Sequence, residues 1–243
     1  MRFHAEGRPI PPDYGIDAPG VVRGLAMAGL GSVVLACWAR AGFAPAQLQG
    51  LWFPGASWLL SAAWMTLGSS VFKLRMRDRL IGQLQLGGHE QMLDVGTGRG
   101  MMLHAAAAKL STGRATGIDL WRSKDQSGNT MSANVDNAKR LGVDTKLCVL
   151  SADMRELPFG DGEFDVVLSS FAVHNIDDAP GRAKAVGEMW RVLKPGGRIV
   201  IADMARTAEY AATLRELGAA GVRRDFDNCA FLLPTFVVRA RKA

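Results

Sequence analysis

Three glycines at alternate positions, Gly96, Gly98 and Gly100, follow directly on the strand-like run Met92-Leu93-Asp94-Val95. Without a Cβ the backbone turns sharply there and a ligand can approach the main chain, while the helix that follows offers unpaired N–H groups. Residues 101–110 are Ala-rich and helix-prone, and 115–119, Ala-Thr-Gly-Ile-Asp, reads as a second strand ending in a carboxylate. Asp119 stands about 20 residues past the glycines, where a doubly wound sheet places an acceptor for ribose hydroxyls. Nicotinamide enzymes share this much, but their spacing is Gly-x-Gly-x-x-Gly. Here it is Gly-x-Gly-x-Gly, with Asp94 two positions before the first glycine. The pattern points to a nucleoside-bearing cofactor held at the end of a strand.

With these residues in view, the stretch from about residue 85 to the C-terminus resembles the class I S-adenosylmethionine-dependent methyltransferases. Asp94-Val95-Gly96-Thr97-Gly98-Arg99-Gly100 is similar to their first motif, and Asp119 to the acidic end of their second strand. Ser151-Ala152-Asp153-Met154 resembles the adenine-contacting third motif. Phe164-Asp165-Val166-Val167-Leu168-Ser169-Ser170 resembles the fourth strand, and Leu193-Lys194-Pro195-Gly196-Gly197 the turn into the fifth. The resemblance implies S-adenosylmethionine as cofactor. It places Asp94 at the amino-acid end, Asp119 at the ribose diol and Asp153 with the Met154 N–H at the adenine edge. Gly96, Thr97, Gly98, Gly100 and Ser169 would line the same rim. Leu120, Met154 and Trp121 would sandwich the purine. On the residues alone, Asp153 also reads as a turn residue, and Leu120 and Met154 as ordinary core.

Those motifs need elements to carry them. Strands are expected at 91–95, 115–119, 145–150, 165–170 and 198–203 with helices between, and Gly160-Asp161-Gly162 marks a loop before the fourth. Such alternation implies an α/β fold, doubly wound around a mainly parallel sheet. Two further strands, 222–226 and 231–239, joined by Asp227-Asn228-Cys229, resemble the antiparallel pair that completes this family's seven-stranded, Rossmann-like sheet. The polar stretch 121–130 interrupts the pattern after Asp119. Its Asp125, Gln126 and Asn129 are candidates for the site, with Asn129 or Thr130 also able to cap the next helix.

Methyl transfer asks for a base only where the acceptor is protonated. His174 follows the fourth strand on the expected acceptor side, and an imidazole titrates near neutrality, so it is the candidate general base. A loop histidine also serves merely to hydrogen-bond locally. Three dispersed cysteines without Cys-x-x-Cys spacing suggest neither a metal site nor a disulfide framework.

Upstream the chain changes character. Between Gly24 and Phe72, Arg40 is the single charge, and 51–72 meets the roughly 20 apolar residues that span a bilayer. Residues 21–38 are marginal but rich in small residues, with Gly24, Ala28 and Ser32 on one helical face. Two apolar helices are therefore expected to precede the catalytic domain. The expected division is 1–72, a tail and transmembrane hairpin, and 73–243, the methyltransferase domain. Arg2, Arg8 and Arg23 precede the hairpin and Lys73, Arg75, Arg77 and Arg79 follow it, which puts both ends and the catalytic domain on the cytosolic side of the membrane. The same basic cluster is a candidate for anionic lipid headgroups. Two helices lying in the membrane surface, or packed as a lid, are the competing reading.

The charge of +6 permits nucleic-acid binding, yet Ser169-Ser170-Phe171 stands where exocyclic-amine methyltransferases carry Asn or Asp followed by Pro-Pro and an aromatic. The expected partners are membrane lipid and a small lipophilic acceptor, a thiol, phenol, quinone-like ring or headgroup, rather than nucleic acid. Self-association through the apolar helices is a further expectation. A cofactor-binding scaffold or sensor is the non-enzymatic alternative.

Overall fold

The computed structural model describes residues 11–122, 126–229 and 233–243. Asp125, Arg2 and Arg8, and the expected start of the last strand at Phe231, lie outside them. Five strands, β1 (Gln91–Val95), β2 (Arg114–Asp119), β3 (Leu147–Ser151), β4 (Phe164–Ser170) and β5 (Leu193–Asp203), pair in parallel. β6 (Ala220–Asn228) and β7 (Thr235–Arg241) complete a seven-stranded sheet in the order β3-β2-β1-β4-β5-β7-β6. β7 runs antiparallel between β5 and β6. The fold is the one that the alternating pattern and the resemblance implied.

Burial explains the strand sequences. β1 is buried from Met92 to Val95 and β4 at all but Asp165 and Ser170, as strands covered on both faces require. Met92 and Val166 join one apolar layer, Leu93, Val95 and Val167 the other, since alternate residues point to opposite faces. Helices α4 (Met101–Ala107), α5 (Met131–Leu141), α6 (Ala179–Arg191) and α7 (Thr207–Glu216) cover the sheet. The strand order reverses between β1 and β4, which opens a crevice beyond their carboxyl ends.

The apolar leader forms two packed helices, α1 (Pro19–Arg40) and α2 (Trp52–Leu67). Gly29 and Gly55 meet at their crossing. A Cβ on Gly29 would lie 2.7 Å from Leu59 Cγ and 3.0 Å from the Gly55 carbonyl, so only glycine permits this approach. The buried face of α1 is Gly29, Ser32, Ala36 and Ala39. Gly24 and Ala28, expected on the contact face with Ser32, are exposed instead, because the crossing sits one residue further along the helix.

The second apolar segment departs from the expected single span. Its α-helix ends at Leu67, and Gly68–Phe72 forms a π-turn that leads into α3 (Lys73–Gln83). Gly68 and Ser69 are buried there, so this end belongs to the body of the protein. Among the described residues one helix, Pro19–Arg40, is long and apolar enough to cross a membrane.

Candidate active site

A single cavity gathers most of the chemistry at the carboxyl ends of β1, β2 and β4. Asp94, Gly96, Thr97, Gly98, Asp119, Leu120, Asp153 and Met154, all expected at a cofactor site, line it. The glycine turn is built by main-chain ties: Gly96 and Thr97 N–H both donate to the Ile118 carbonyl at 2.9 Å. Gly96 has φ +75°, and a Cβ on it would overlap that of Ala172, so the loop after β4 closes directly on this glycine.

Asp94 is 2% exposed. Its Oδ2 accepts from Thr97 Oγ1 at 2.9 Å, while its buried Oδ1 has no hydrogen-bond partner among the described residues. Burial pushes this carboxyl up to about 7, the Thr97 bond and the Leu103 main-chain N–H opposing it and the neighbouring Asp119 adding to it. Asp119 accepts from Gly98 N at 2.8 Å and from Trp121 N at 2.6 Å, which fixes its orientation at the rim. Asp153 accepts a forked pair from Arg155, 2.6 Å at Nη2 and 3.0 Å at Nε. That guanidinium bond holds the Asp153 carboxyl below the usual range.

Four expected site residues are placed elsewhere. Gly100, at φ +88°, precedes α4, and a Cβ there would overlap the His104 ring, so this glycine serves packing. Burial pushes His104 down to about 4, leaving it neutral behind the loop, with Asn134 Oδ1 at 3.0 Å from Nε2. Trp121, at φ +57°, sends its indole N–H to Ser151 Oγ at 2.7 Å and does not line the cavity. Ser169 points away because strand residues alternate: its Oγ donates to the Val95 carbonyl at 2.8 Å, and Ser170 takes the lining position.

His174 is the fourth. Its Nδ1 lies 2.6 Å from Oδ1 of Asp203, which is wholly buried at the end of β5. The other Asp203 oxygen accepts from the His174 N–H at 3.2 Å and from the Tyr210 hydroxyl at 3.3 Å. The neighbours Ala172 and Asn175 line the cavity, while His174 itself does not.

The structure also adds residues. Asp17, just before α1, and Lys73, at the start of α3, line the cavity and pair at 2.7 Å. Gln126 accepts from Arg99 N at 3.1 Å and lines the cavity with Asn129, whose Nδ2 reaches Asp119 Oδ1 at 3.3 Å. Thr130 is the cap of α5, accepting from Ala133 N, which frees Asn129 for the site. Phe171, another lining residue, is held at φ +53°, backbone strain of the kind found at ligand sites. No sequence signal marked Asp17, Phe171 was read only as part of the Ser169-Ser170-Phe171 stretch that argues against nucleic acid, and Lys73 was hidden within a basic cluster.

A family model described as Methyltransferase domain matches residues 93–201, which carry the glycine turn, Asp119 and the Asp153–Met154 corner. The matched residues are a methyltransferase domain by that description and make up less than half of the chain. This methyltransferase domain is similar to sterol 4-C-methyltransferase of Caenorhabditis elegans, at 32% identity over 131 residues, 53% of this chain and 35% of that protein. It is also similar to a ubiquinone/menaquinone biosynthesis C-methyltransferase of Geotalea daltonii, at 35% identity over 114 residues, covering 46% of this chain and 45% of that one. The chain thus spans less than half the length of these two relatives. A solved methyltransferase structure from Aquifex aeolicus shares the fold, with TM-score 0.53 at 20% identity over 69% of this chain and 89% of that one.

Proposed function

We propose that this chain moves the methyl group of S-adenosylmethionine to a small lipophilic acceptor dissolved in a membrane against which its apolar hairpin lies. One observation carries the reading. The cavity that holds the methyltransferase motifs is walled in part by Asp17 and Lys73, the residues that flank a hairpin covered with exposed apolar side chains. Phe53 is 83% exposed, Met27 73% and Leu60 70%, too much contiguous apolar surface to leave in water. At 22 residues α1 is about 33 Å long, enough for a bilayer core. The two relatives are named for a sterol and for quinone biosynthesis, both lipophilic chemistries.

The residues present fit the cofactor. The unpartnered Asp94 Oδ1 suits its ammonium, Asp119 its ribose hydroxyls, and Asp153, Met154 and Leu120 its adenine edge and faces. Bound there, S-adenosylmethionine supplies a methyl group already activated by the sulfonium. The chain's own contribution is to fix the two reactants in line, an effect that removes roughly 7 to 11 kcal/mol of barrier. His174 stands behind the lining residues Ala172 and Asn175 with Nδ1 beside Asp203, so it orders the loop after β4, and the proposed transfer uses no protein base.

The hairpin rather than the basic cluster is the proposed membrane contact. Lys73 pairs with Asp17, Arg77 with Asp78 and Arg79 with Asp227, so three of the four cations already have protein partners. Exposed Arg23 and Arg75 at the base of the hairpin favour a cytosolic catalytic domain. The small-residue face of α1 is consumed by α2, which leaves self-association to Gly24 and Ala28.

The test is transfer of a tritiated methyl group by the full chain in lipid vesicles containing a quinol, a phenol or a long-chain thiol. Label is expected in the solvent-extracted lipophilic product. Label confined to water-soluble acceptors would overturn the acceptor class, and no label at all the activity. His174→Ala is expected to change phenol and thiol methylation alike, through the loop after β4; loss of phenol methylation alone would make His174 the base.

A further inference from the structure

A buried lysine needs a reason, and Lys73 has an unusual setting. Its side chain is 2% exposed, it lines the cavity, and among the described residues its ammonium has one partner, Asp17 Oδ2 at 2.7 Å. An ammonium carries three N–H donors, so two remain to be directed at something else. Lysine is among the residues least often buried without full pairing. Asp17 is itself held from several sides. Its N–H donates to Ser69 Oγ at 3.1 Å, Ser69 Oγ donates back to Asp17 Oδ2 at 3.0 Å, and Gln126 Nε2 approaches Oδ1 at 3.4 Å. An isolated bridge between Asp17 and Gln126 ties this backbone to the loop after β2.

The cavity therefore contains two distinct charge features in its wall. Asp94 presents a buried carboxylate oxygen without a partner, and Lys73 presents a buried ammonium with donors to spare. An α-amino acid group carries the complementary pair, a cation and an anion two bonds apart. Asp94 alone would accept the ammonium and leave the donor's carboxylate facing the Asp94 and Asp119 carboxylates, and the other cations of the cavity are engaged elsewhere, Arg99 by Asp13 and the Ser127 carbonyl, Arg155 by Asp153, with Arg122 acting on Asp153 as well.

We propose that Lys73 binds the carboxylate of the methyl donor's amino-acid group, with Asp17 as the positioning residue that holds the lysine at the cavity wall. This rests on the donor site argued above and deepens it. Asp17 stands two positions before α1 and Lys73 directly follows the π-turn after α2, so the two ends of the hairpin close on each other at the cavity wall. The residues that close the base of the hairpin, rather than its helices, are thereby part of cofactor recognition.

Calorimetry on the full chain in detergent tests this without turnover, using S-adenosylhomocysteine, its decarboxylated analogue and 5′-methylthioadenosine, which lacks the amino-acid end. Lys73→Met is expected to weaken S-adenosylhomocysteine at least 30-fold and to change methylthioadenosine less than twofold, while Lys73→Arg recovers most of the loss. Equal weakening of both ligands would show that the lysine only secures the hairpin, and would overturn the proposal. If Lys73→Met does not fold, the wild-type chain decides: the decarboxylated analogue is expected to bind at least 30-fold more weakly than S-adenosylhomocysteine, and equal affinities would overturn it. A wild-type chain that binds none of the three would instead remove the donor site on which the proposal stands.

Discussion

Asp94 joins stability to function through one proton. In the folded chain burial pushes its carboxyl up to about 7, against an ordinary value near 4 in the unfolded chain. The raised value means the folded state is favoured while Asp94 is protonated, and that advantage is lost as pH rises from about 4 through 7. The shift corresponds to on the order of 4 kcal/mol as an upper bound. Binding an ammonium has the opposite dependence, because it needs the ionised form. Donor affinity of the wild-type chain is therefore expected to rise about tenfold or more between pH 5.5 and 7.5. Asp94→Asn is expected to flatten that slope, to weaken the donor at pH 7.5 at least tenfold, and to raise the melting temperature at pH 8 but not at pH 5. Calorimetric titrations and melting curves at those pH values check it, and parallel slopes in the two proteins would exclude Asp94 from the ammonium site. The coincidence of a destabilising charge and a binding role is what a functional carboxylate in a core looks like.

At the scale of elements, the hairpin packs its glycines inward and leaves its large side chains outward. Gly29 and Gly55 let two backbones touch, so Val34, Trp38, Phe53 and Leu60 are displaced to the surface. That is the reverse of a helix pair meant to sit in water, where the large apolar residues would fill the seam. Trp38 and Trp52 end up near the connecting turn, and Trp64 at the opposite end of α2 donates its indole N–H to the Cys229 carbonyl at 2.9 Å. Aromatic residues thus stand at both ends of the hairpin. Exposed apolar positions are where a charge discriminates between environments: it is nearly neutral for folding in water and costs about 2.5 to 3.5 kcal/mol at the centre of a bilayer. Phe53→Asp combined with Leu60→Asp is expected to move the chain from the vesicle fraction to the supernatant on flotation, with its helical content unchanged. Retention on vesicles would place the membrane contact elsewhere.

Across the whole molecule, what the sequence made legible was what depends on neighbours in the chain. The strand-turn-helix at Gly96, the acid at Asp119 and the corner at Asp153 are local patterns, and each of them lines the cavity. Side-chain direction was less legible: Ser169 and Ser170 differ by one strand position, and which of them faces the ligand depends on register. The contribution of the leader was not legible at all, because Asp17 and Lys73 are separated by the entire hairpin and meet only in the fold. The same kind of distant contact runs across the expected boundary at residue 72. Residues 13–17 cross the glycine loop, with Asp13 N–H on Asn137 at 2.9 Å, Arg99 on Asp13 at 2.7 Å and Ile16 N–H on Ser127 at 2.9 Å. Tyr14 is buried in the apolar layer that includes Met76, Met101 and Met102. Removing residues 1–72 therefore takes away a core side chain and the Asp17 partner of a buried lysine. Losing a large core aromatic alone costs about 3 to 5 kcal/mol. A 73–243 fragment is expected to melt well below the full chain and to bind S-adenosylhomocysteine at least tenfold more weakly. A variant that keeps residues 11–18 and 68–243, joined by a flexible linker in place of α1 and α2, is expected to recover donor binding while losing vesicle association. Thermal melts, calorimetry and flotation on the two proteins separate strap from anchor, and full donor affinity in the 73–243 fragment would show that the strap contributes nothing.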